Sequence, residues 1–441
     1  MKRNDTAVPL WRQLQATAVV IDSVRSGGSG TAAVEAVSVD LRPGVQALSF
    51  HVWRNLGRAE ALRGLLVNKR PPPRADALLC VALALVWDED SAPYDGFTLV
   101  NQTVECAKLT HGLAAQANFL NACLRRFLRE RANLVRQTEA SLVAVWNHPL
   151  WWIRKLQFER PTEWTAILLA ANAHAPMTLR VNQRKTNVAS YLQRLLEAGL
   201  TARIDASGAI VLKRAVSVSL LPGFSDGDVS VQDAAAQLAG HLLKQHLPDK
   251  SKLRLLDACA APGGKTGHLL EVMDAEVVAL EIDAVRAQRI GENLNRLGLH
   301  AKVVCADARR PEEWWDGELY DAILLDAPCT ASGIVRRHPD VRWLRRETDV
   351  SQLARLQKEL LHAMWRLLKP GGILLYCTCS LFKAEGDGQT QTFLANNKDA
   401  SLLPSPGHLM PRNGSNTGDL TDNQPGDHDG FFYALFQKQS A

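Results

Sequence analysis

The sequence predicts a multidomain protein with an all-α first part, a small α+β connector and a C-terminal α/β domain built on a parallel sheet. Apolar residues recur at helical spacing up to about residue 147, and this periodicity predicts the all-α part. Strand-like and helix-like segments alternate from residue 226 onward, which is typical of a parallel sheet covered by helices. We therefore expect domains at 1–147, 148–225 and 226–441.

Each part contains recognisable elements. In the first part, helices are predicted over 16–24, 45–54, 75–86 and 118–131. The connector is expected to contain helices over 150–158, 164–171 and 188–198 and a strand over 178–182. In the α/β domain we expect strands over 253–256, 277–280, 302–305, 322–325, 373–376 and 431–437, with helices over 266–273, 284–297 and 350–368.

The composition excludes several classes of protein. Hydrophobic residues make up 46% of the chain, which excludes a disordered protein, and the net charge of +5 permits nucleic-acid binding without identifying it. Residues 1–10 lack the apolar core of a secretion signal, and no apolar run reaches the roughly 18 residues of a membrane span. None of the eight cysteines stands in a CxxC pair. We therefore expect a cytoplasmic protein without a metal site or a membrane partner, and a monomer by default.

A loop of small residues follows the first strand of the α/β domain. Residues 257–266 read DACAAPGGKT, and such a turn between a strand and a helix lets the backbone approach a ligand closely. The loop matches neither the dinucleotide pattern GxGxxG nor a Walker loop, because Cys259 stands where the Walker pattern requires glycine. The residues expected to bind a cofactor here are Ala258, Cys259, Ala260, Ala261, Pro262, Gly263, Gly264 and Lys265.

Acidic residues follow the next strands. Glu281 comes after the second strand, where a carboxylate can accept hydrogen bonds from ribose hydroxyls. Asp307 follows the third strand and is placed to accept from an adenine amine, and Asp326 follows the fourth. One such acid is often only a helix N-cap, but three of them beside a small-residue loop favour a cofactor site.

Two cysteines follow the fourth and fifth strands. Cys329 lies in the sequence DAPC and Cys379 lies in the sequence TCS. Because the carboxyl ends of parallel strands form the ligand crevice, we expect both cysteines at one site. A lone cysteine is most often a small buried hydrophobe, and this interpretation applies to Cys80, Cys106, Cys123, Cys305 and Cys377.

These motifs resemble those of the RNA cytosine-5 methyltransferases of the Nop/Sun family, from about residue 148 to the end of the chain. The sequence GIVRRHPDVRWL at 333–344, with LPGF at 221–224, VQD at 231–233 and DGFF at 429–432, is most similar to the bacterial 16S ribosomal RNA enzymes of the RsmB (Sun/Fmu) type. The resemblance implies a Rossmann-like class I methyltransferase domain that uses S-adenosyl-L-methionine, and a NusB-like RNA-binding fold for the first part. It also implies 16S ribosomal RNA, free or in early small-subunit particles, as the partner.

The resemblance assigns roles to individual residues. Carbon 5 of cytosine is a poor nucleophile until a thiolate adds at carbon 6, and the family implies that Cys379 is this thiolate. Cys329 is expected to assist release of the product, and Asp326 to stabilise charge near N3 of the base. In related DNA enzymes the nucleophile lies in the Pro-Cys motif, so Cys329 is the rival candidate. The chain departs from its relatives at Glu281, where Asp is frequent, and at Gly386, where the family carries Asn after Glu385.

Basic residues in two segments are the candidates for RNA contact. One segment follows the Cys329 loop and contains an interleaved Trp343, and the other is a helix of the first part. The competing interpretation is a surface helix with a buried Trp343 for the first segment and a solvated charged face for the second. The candidates are Arg336, Arg337, His338, Arg342, Arg125 and Arg126.

Two further functions compete with methylation at carbon 5. A non-catalytic RNA-binding or ribosome-assembly factor would retain the fold but is expected to have lost a cysteine or the cofactor loop, and both are intact. A methyltransferase acting on an exocyclic amine needs an Asp/Asn-Pro-Pro-aromatic loop, and the sequence DAPC at 326–329 is not one.

Overall fold

The computed structural model describes residues 8–205, 207–248, 252–411 and 427–440. The chain divides into two compact units, one formed by Met1–Leu168 with His338–Arg346 and the other by Leu169–Arg337 with Glu347–Ala441. Residues 1–7, on which the expectation about a secretion signal partly rests, lie outside the described residues. Within the described ranges, no helix has both the length and the apolar character needed to cross a membrane.

The first unit is helical, as predicted. Every residue of its helix α4 from Ala75 to Val86 is buried. The helix begins at Pro73, and proline is well tolerated there because the first backbone N–H groups of a helix have no partner within the helix. The helices, in chain order, are α1 (Leu10–Arg25), α2 (Gly30–Glu35), α3 (Arg42–Leu66), α4 (Pro73–Val86), α5 (Gly96–Leu109), α6 (Ala117–Thr138), α7 (Leu142–Trp146) and α8 (Leu150–Glu159). Helix α9 (Trp164–Asn172) leads into the second unit.

The segment His338–Arg346 is an integral part of the helical unit. The indole N–H of Trp343 donates to the carbonyl of Trp53 at 2.8 Å, and the ring packs against the apolar core of this unit. Arg342 is fully buried and donates to the carbonyl of Asn147 at 3.2 Å. A stretch that lies between two elements of the α/β domain in sequence therefore folds with the N-terminal helices.

The second unit begins with a small four-stranded antiparallel sheet in the order β2-β3-β1-β4. Its elements are β1 (Thr178–Val181), α10 (Val188–Glu197), β2 (Ala202–Ile204), β3 (Ile210–Leu212) and β4 (Val229–Val231). Tyr191 and Leu195 of the helix are fully buried with Leu179 and Ile210 of the strands. The predicted mixture of helix and strand in the connector is present.

The α/β part of the second unit contains a seven-stranded sheet in the order β10-β11-β9-β8-β5-β6-β7. The strands are β5 (Leu253–Ala258), β6 (Ala275–Glu281), β7 (Lys302–Cys305), β8 (Tyr320–Asp326), β9 (Leu368–Thr378), β10 (Ala400–Leu409) and β11 (Phe431–Lys438). The helices are α11 (Ala234–His246), α12 (Gly264–Val272), α13 (Ala284–Leu297), α15 (Glu347–Trp365) and α16 (Asp387–Asn396); the short α14 (Val341–Leu344) belongs to the first unit. All six predicted strands are present, and β10 is an additional edge strand.

Five neighbouring strands of this sheet run parallel, and their carboxyl ends meet at one edge. β5 pairs with both β6 and β8, so the strand order reverses at β5, and a crevice at such a reversal is where α/β sheets bind ligands. β8 pairs with β9 in a register that sets Asp326 opposite Cys377. Both faces of the sheet are buried, with Leu255 and Leu324 on one side and Leu256 and Ile323 on the other.

A buried ion pair joins the small sheet to the cofactor-loop helix. Arg180 on β1 donates to both carboxylate oxygens of Glu271 on α12, each at 2.8 Å, and the two side chains are at most 4% exposed. Arg180 also donates to the carbonyl of Gly264, the first residue of α12, at 2.7 Å. The arginine therefore fixes the helix that follows the cofactor loop.

Replacing Arg180 by Leu is expected to lower the free energy of unfolding by about 3–5 kcal/mol, because Glu271 would remain buried without its cation. Urea denaturation followed by tryptophan fluorescence measures this change. The double variant Arg180→Leu/Glu271→Leu should recover part of the loss, because it removes both charges. An Arg180→Leu protein as stable as the wild type would contradict this account.

Candidate active site

A cavity of about 280 Å³ opens at the carboxyl ends of the parallel strands. Strand ends and the loops that follow them supply most of its lining, while α15 contributes two leucines. The lining residues are Cys259, Ala261, Leu280, Glu281, Ile282, Arg286, Ala306, Asp307, Ala308, Arg309, Asp326, Ala327, Pro328, Cys329, Ala331, Leu356, Leu360 and Cys379. The cavity thus brings together the predicted acids, both predicted cysteines and part of the predicted loop.

Two residues of the small-residue loop have a left-handed backbone conformation. Cys259 has φ of 64° and Gly263 has φ of 91°. A Cβ at Gly263 would meet Ile290 of α13 at 3.1 Å, so glycine allows the loop to pack against this helix. Of the predicted loop residues, Cys259 and Ala261 line the cavity. The other predicted loop residues are not part of the lining; they are Ala258, Ala260, Pro262, Gly263, Gly264 and Lys265.

Two carboxylates at the cavity are oriented by local hydrogen bonds. Glu281 is buried and accepts from the backbone N–H groups of Ala261 and Asp283 at 3.3 and 3.1 Å. Asp307 accepts from the Arg309 guanidinium at 2.7 Å, and hydrogen bonding by Arg309 lowers the pKa of Asp307. These acceptors, beside a loop that exposes its backbone, fit the ribose hydroxyls and the amine of an adenosine moiety.

Apolar residues complete the side of the cavity next to the two acids. Ile282 and Ala308 each follow one of these acids in sequence, and Leu356 and Leu360 project from α15. Sequence reasoning missed all four, because isolated apolar residues on a helix or after a strand carry no signal that separates them from the core. Such surfaces suit the faces of a purine ring.

Asp326, which also lines the cavity, is held by two neighbours. The Lys265 ammonium lies 2.6 Å from one of its carboxylate oxygens, and the Cys377 thiol donates to the other at 3.4 Å. Burial lowers the pKa of Lys265, but the charge of Asp326 and the nearby sulfurs outweigh this effect, so the net shift is upward. Cys377 is buried as expected. It is more than a small core residue, however, because its thiol binds Asp326 of the site.

The two predicted catalytic cysteines are in contact. Their Sγ atoms lie 3.4 Å apart and both line the cavity. The hydrogen bond with Cys379, together with burial, raises the pKa of the Cys329 thiol well above its usual value. Cys329 therefore favours its thiol form.

Gly386 stands where the resemblance led us to expect an asparagine. A Cβ at residue 386 would lie 2.5 Å from the His408 ring and 2.7 Å from the Phe432 ring. These rings would therefore have to shift before a larger side chain could stand at this position. The preceding Glu385 is fully buried and hydrogen-bonded.

The structure corrects the expectation that Arg336, Arg337 and Arg342 are free to contact RNA. Arg336 is 1% exposed and pairs with Asp427 at 2.6 Å and with Asp429 at 2.5 Å. Arg337 pairs with Asp233 at 2.7 Å and also with Asp429. These guanidiniums bind aspartates, and that of the fully buried Arg342 binds a backbone carbonyl, so all three make contacts inside the fold. Their partners come from distant segments, and the local sequence therefore does not reveal these contacts.

Other predicted residues have mixed outcomes. His338 and Arg125 are exposed, and Arg126 is half-buried and pairs with Glu130 at 3.2 Å. Cys80, Cys106 and Cys123 are buried as expected, whereas the expectation for Cys305 was wrong: it is exposed, because it ends the edge strand β7. No group of three or more His, Cys, Asp or Glu residues in the described part of the chain could hold a metal ion.

Comparison with known proteins identifies the family. Residues 244–437 match the family model of the 16S rRNA methyltransferase RsmB/F, and residues 148–219 match that of the RsmF/B-like ferredoxin-like domain. The chain is 40% identical over 435 residues to ribosomal RNA small subunit methyltransferase B of Vibrio vulnificus, and the alignment covers 96% of this chain and 98% of that protein. This chain belongs to the RsmB/F family of 16S rRNA methyltransferases. The enzyme of the same name from Pseudomonas syringae pv. tomato is 42% identical over 408 residues, covering 90% of this chain and 89% of that protein.

Solved structures share the architecture. The crystal structure of PH0851 superposes with a TM-score of 0.77 at 24% identity and covers 98% of this chain and 99% of its own. A methyltransferase homologue from Pyrococcus horikoshii superposes with a TM-score of 0.56 at 28% identity and covers 67% of this chain and 97% of its own. The α/β part is therefore a Rossmann-like class I methyltransferase fold, and the chain is an S-adenosylmethionine-dependent ribosomal RNA methyltransferase.

The buried Asp257 behind the cofactor loop predicts a pH dependence of stability. Burial raises its pKa to about 7 from 3.8, although Thr266 donates a hydrogen bond to it at 2.6 Å. The folded state therefore binds more protons than the unfolded state between these two values, and the free energy of unfolding should fall as pH rises through this window. Asp257→Asn should remove this slope. Urea unfolding at several pH values tests it, and an unchanged slope in the variant would contradict the assignment.

Proposed function

We propose that this enzyme methylates carbon 5 of a cytosine in 16S ribosomal RNA through a covalent bond between Cys379 and carbon 6. The observation that carries the proposal is the 3.4 Å contact between the sulfurs of Cys329 and Cys379 at a cavity lined by Glu281, Asp307 and Asp326. A methyltransferase that acts on a nucleophilic amine or hydroxyl needs no thiol, whereas methylation of a pyrimidine carbon does.

The cavity is the proposed site for S-adenosylmethionine, which supplies an electrophilic methyl group when bound. Glu281 would accept from the ribose hydroxyls and Asp307 from the adenine amine, while backbone groups at Cys259 and Ala261 complete the cradle. The apolar surfaces of Ile282 and Leu356 would exclude water from the ring faces. Both cysteines line the same cavity, and we assign the entry of the base to the part of it that they line.

The proposed reaction begins with addition of the Cys379 thiolate to carbon 6. The sulfur–carbon bond forms as electrons of the ring double bond shift toward carbon 5, which then takes the methyl group. Asp326, paired with Lys265, is assigned to the N3 side of the base, where charge develops. Release requires a base, such as a water molecule, to take the proton from carbon 5. The electrons of that bond re-form the ring double bond, the carbon–sulfur bond breaks, and Cys379 leaves as a thiolate. Cys329 is in contact with that sulfur and is placed to donate a proton to it.

The surroundings of the two cysteines favour Cys379 over Cys329 as the nucleophile. Cys329 is more deeply buried, and its pKa is raised by the hydrogen bond with Cys379 and by burial, so it carries little thiolate. Cys379 is partly exposed at the cavity, and its sulfur lies 3.4 Å from that of Cys329. The rival arrangement, in which Cys329 attacks, would place the thiolate on the sulfur whose pKa is raised.

The helical first part is proposed to be a NusB-like domain that contacts RNA through α6. Arg125 is exposed on this helix and Arg126 is half-exposed, so both can reach a phosphate backbone. The proposed partner is 16S ribosomal RNA, either free or in an early small-subunit particle. His338 is exposed in the same unit and is a further candidate for contact.

Cys379→Ala is expected to abolish methyl transfer to small-subunit ribosomal RNA, because it removes the sulfur that we assign to carbon 6, and the neighbouring Cys329 favours its thiol form. Transfer of a tritiated methyl group measures the rate, and cofactor affinity by calorimetry should stay within about 2-fold, since the alanine removes no predicted cofactor contact. Cys305→Ala is the matched control, because this exposed cysteine lies outside the cavity lining. Full activity of Cys379→Ala would refute the nucleophile assignment.

Cys329→Ala is expected to accumulate a covalent enzyme–RNA complex, because addition and methyl transfer proceed while release is slowed. A band of reduced mobility that survives denaturing electrophoresis and disappears after nuclease treatment reports the complex. The double variant Cys329→Ala/Cys379→Ala should form none. A Cys329→Ala enzyme that turns over normally without a trapped complex would contradict the release role.

Arg125→Gln is expected to weaken RNA binding without changing cofactor affinity. If its guanidinium neutralises one phosphate, the slope of log affinity against log salt concentration should fall by about 1. Fluorescence anisotropy at several salt concentrations measures the slope. Arg366→Gln, an exposed arginine of the second unit, is the control. An unchanged slope for Arg125→Gln would exclude this side chain from the RNA interface.

A further inference from the structure

A fully buried carboxylate, Glu385, connects the loops that carry the two cysteines. One oxygen accepts from the backbone N–H of Thr330 at 2.9 Å, and the other accepts from the hydroxyls of Thr330 and Ser380, both at 2.5 Å. Thr330 directly follows Cys329 and Ser380 directly follows Cys379. A single side chain therefore binds the neighbour of each sulfur.

The residue on the other side of Cys379 is also bound to Glu385. The hydroxyl of Thr378 donates to the carbonyl of Glu385 at 3.3 Å, and the buried Tyr376 hydroxyl donates to the same carbonyl at 2.8 Å. Cys379 is thus flanked by two residues that are hydrogen-bonded to one and the same amino acid. The position of its sulfur depends on where Glu385 is held.

Surrounding polar groups fix Glu385 itself. Gln357 of α15 donates to the carboxylate at 3.1 Å and to the carbonyl of Pro328, the residue before Cys329, at 2.9 Å. Ser332 lies 3.1 Å from the hydroxyl of Ser380 and accepts from the backbone N–H of Leu381 at 2.8 Å. A buried carboxylate with several donors is held in one orientation, because any other leaves polar groups unpaired.

We propose that Glu385 is a positioning residue that sets the separation and orientation of the Cys329 and Cys379 sulfurs by binding the loops on which they lie. The carboxylate lines no part of the cavity and acts through Thr330 and Ser380. This inference rests on the proposed function, in which one sulfur attacks the base and the other assists its release. A sulfur displaced by about 1 Å is enough to reduce such a reaction about 100-fold.

The charge of Glu385 supports the same arrangement. It lies near the Cys329 thiol and contributes to raising the pKa of that thiol, after the hydrogen bond with Cys379 and burial. When Glu385 is ionised, its negative charge favours the thiol form of Cys329, while burial raises the pKa of Glu385 itself. The geometry of the two loops and the protonation of Cys329 therefore both involve this residue.

Disulfide cross-linking by diamide reports the relative position of the sulfurs without any methyl transfer. The two thiols form one disulfide and diamide takes up the two hydrogen atoms to become the hydrazine. The rate is followed by mass spectrometry of the peptide pair that contains Cys329 and Cys379. In Glu385→Gln we expect cross-linking to slow about 10-fold and kcat for methyl transfer to fall about 100-fold, with cofactor affinity within about 2-fold of the wild type.

Asp321→Asn is the matched control. Asp321 is a mostly buried carboxylate at the opposite end of β8 that accepts from the backbone of Arg254 and from Lys369, both at 2.9 Å. Replacing this carboxylate by an amide should lower the free energy of unfolding and leave the cross-linking rate and kcat unchanged. A Glu385→Gln protein that is destabilised like Asp321→Asn but cross-links as fast as the wild type would overturn the proposal.

Two milder variants keep the test decisive if Glu385→Gln does not fold. Ser380→Ala and Thr330→Val each remove one hydroxyl that binds the carboxylate. Both should slow cross-linking, and the double variant should be slowed by less than the product of the single effects, because the two hydroxyls act through one carboxylate. Wild-type cross-linking in both single variants would overturn the proposal. An active Cys379→Ala enzyme would instead refute the proposed function and leave the cross-linking result intact.

Discussion

The parallel pairing of β8 with β9 is the constraint on which the site depends. Its register sets Asp326 opposite Cys377, so the loops that leave the two strands begin side by side. Cys329 and Cys379 lie in these loops, and their sulfurs come to 3.4 Å. A slip of one residue would turn the side chains of one strand to the other face of the sheet, and Asp326 would lose its contact with Cys377. The chemistry of the site therefore follows from strand register.

Buried polar groups, rather than apolar packing alone, hold the loops at this edge. Glu385 connects the loops of the two cysteines, and Lys265 holds Asp326. Arg336 and Arg337 connect the segment after the Cys329 loop to Asp429. Buried charges are costly to desolvate and remain ionised only when their partners surround them. Such networks add little stability beyond what apolar residues would supply, but their hydrogen bonds are satisfied in only one arrangement of the loops.

The sequence predicted the parts of the site that depend on local order along the chain. A small-residue loop after β5, acids after β6 and β7, and cysteines after β8 and β9 need only the rule that parallel strands end at one edge. The sequence could not predict the burial of Arg336, because its partner Asp429 lies in a distant segment. Nor could it predict β10, where Pro404 and Pro406 disfavour a strand, although a sheet edge tolerates proline. Arg342 belongs to the helical unit for the same long-range reason.

Mapping the modified nucleotide would show whether the methyl group is placed on carbon 5 of a cytosine. The enzyme would be incubated with S-adenosylmethionine and unmethylated 16S ribosomal RNA, free and in small-subunit particles, and the RNA sequenced after bisulfite treatment. We expect a single protected cytosine, and we expect this protection to be lost when Cys379 is replaced by alanine. Methyl transfer to RNA without any protected cytosine, or protection that persists in the Cys379→Ala enzyme, would contradict the proposed function.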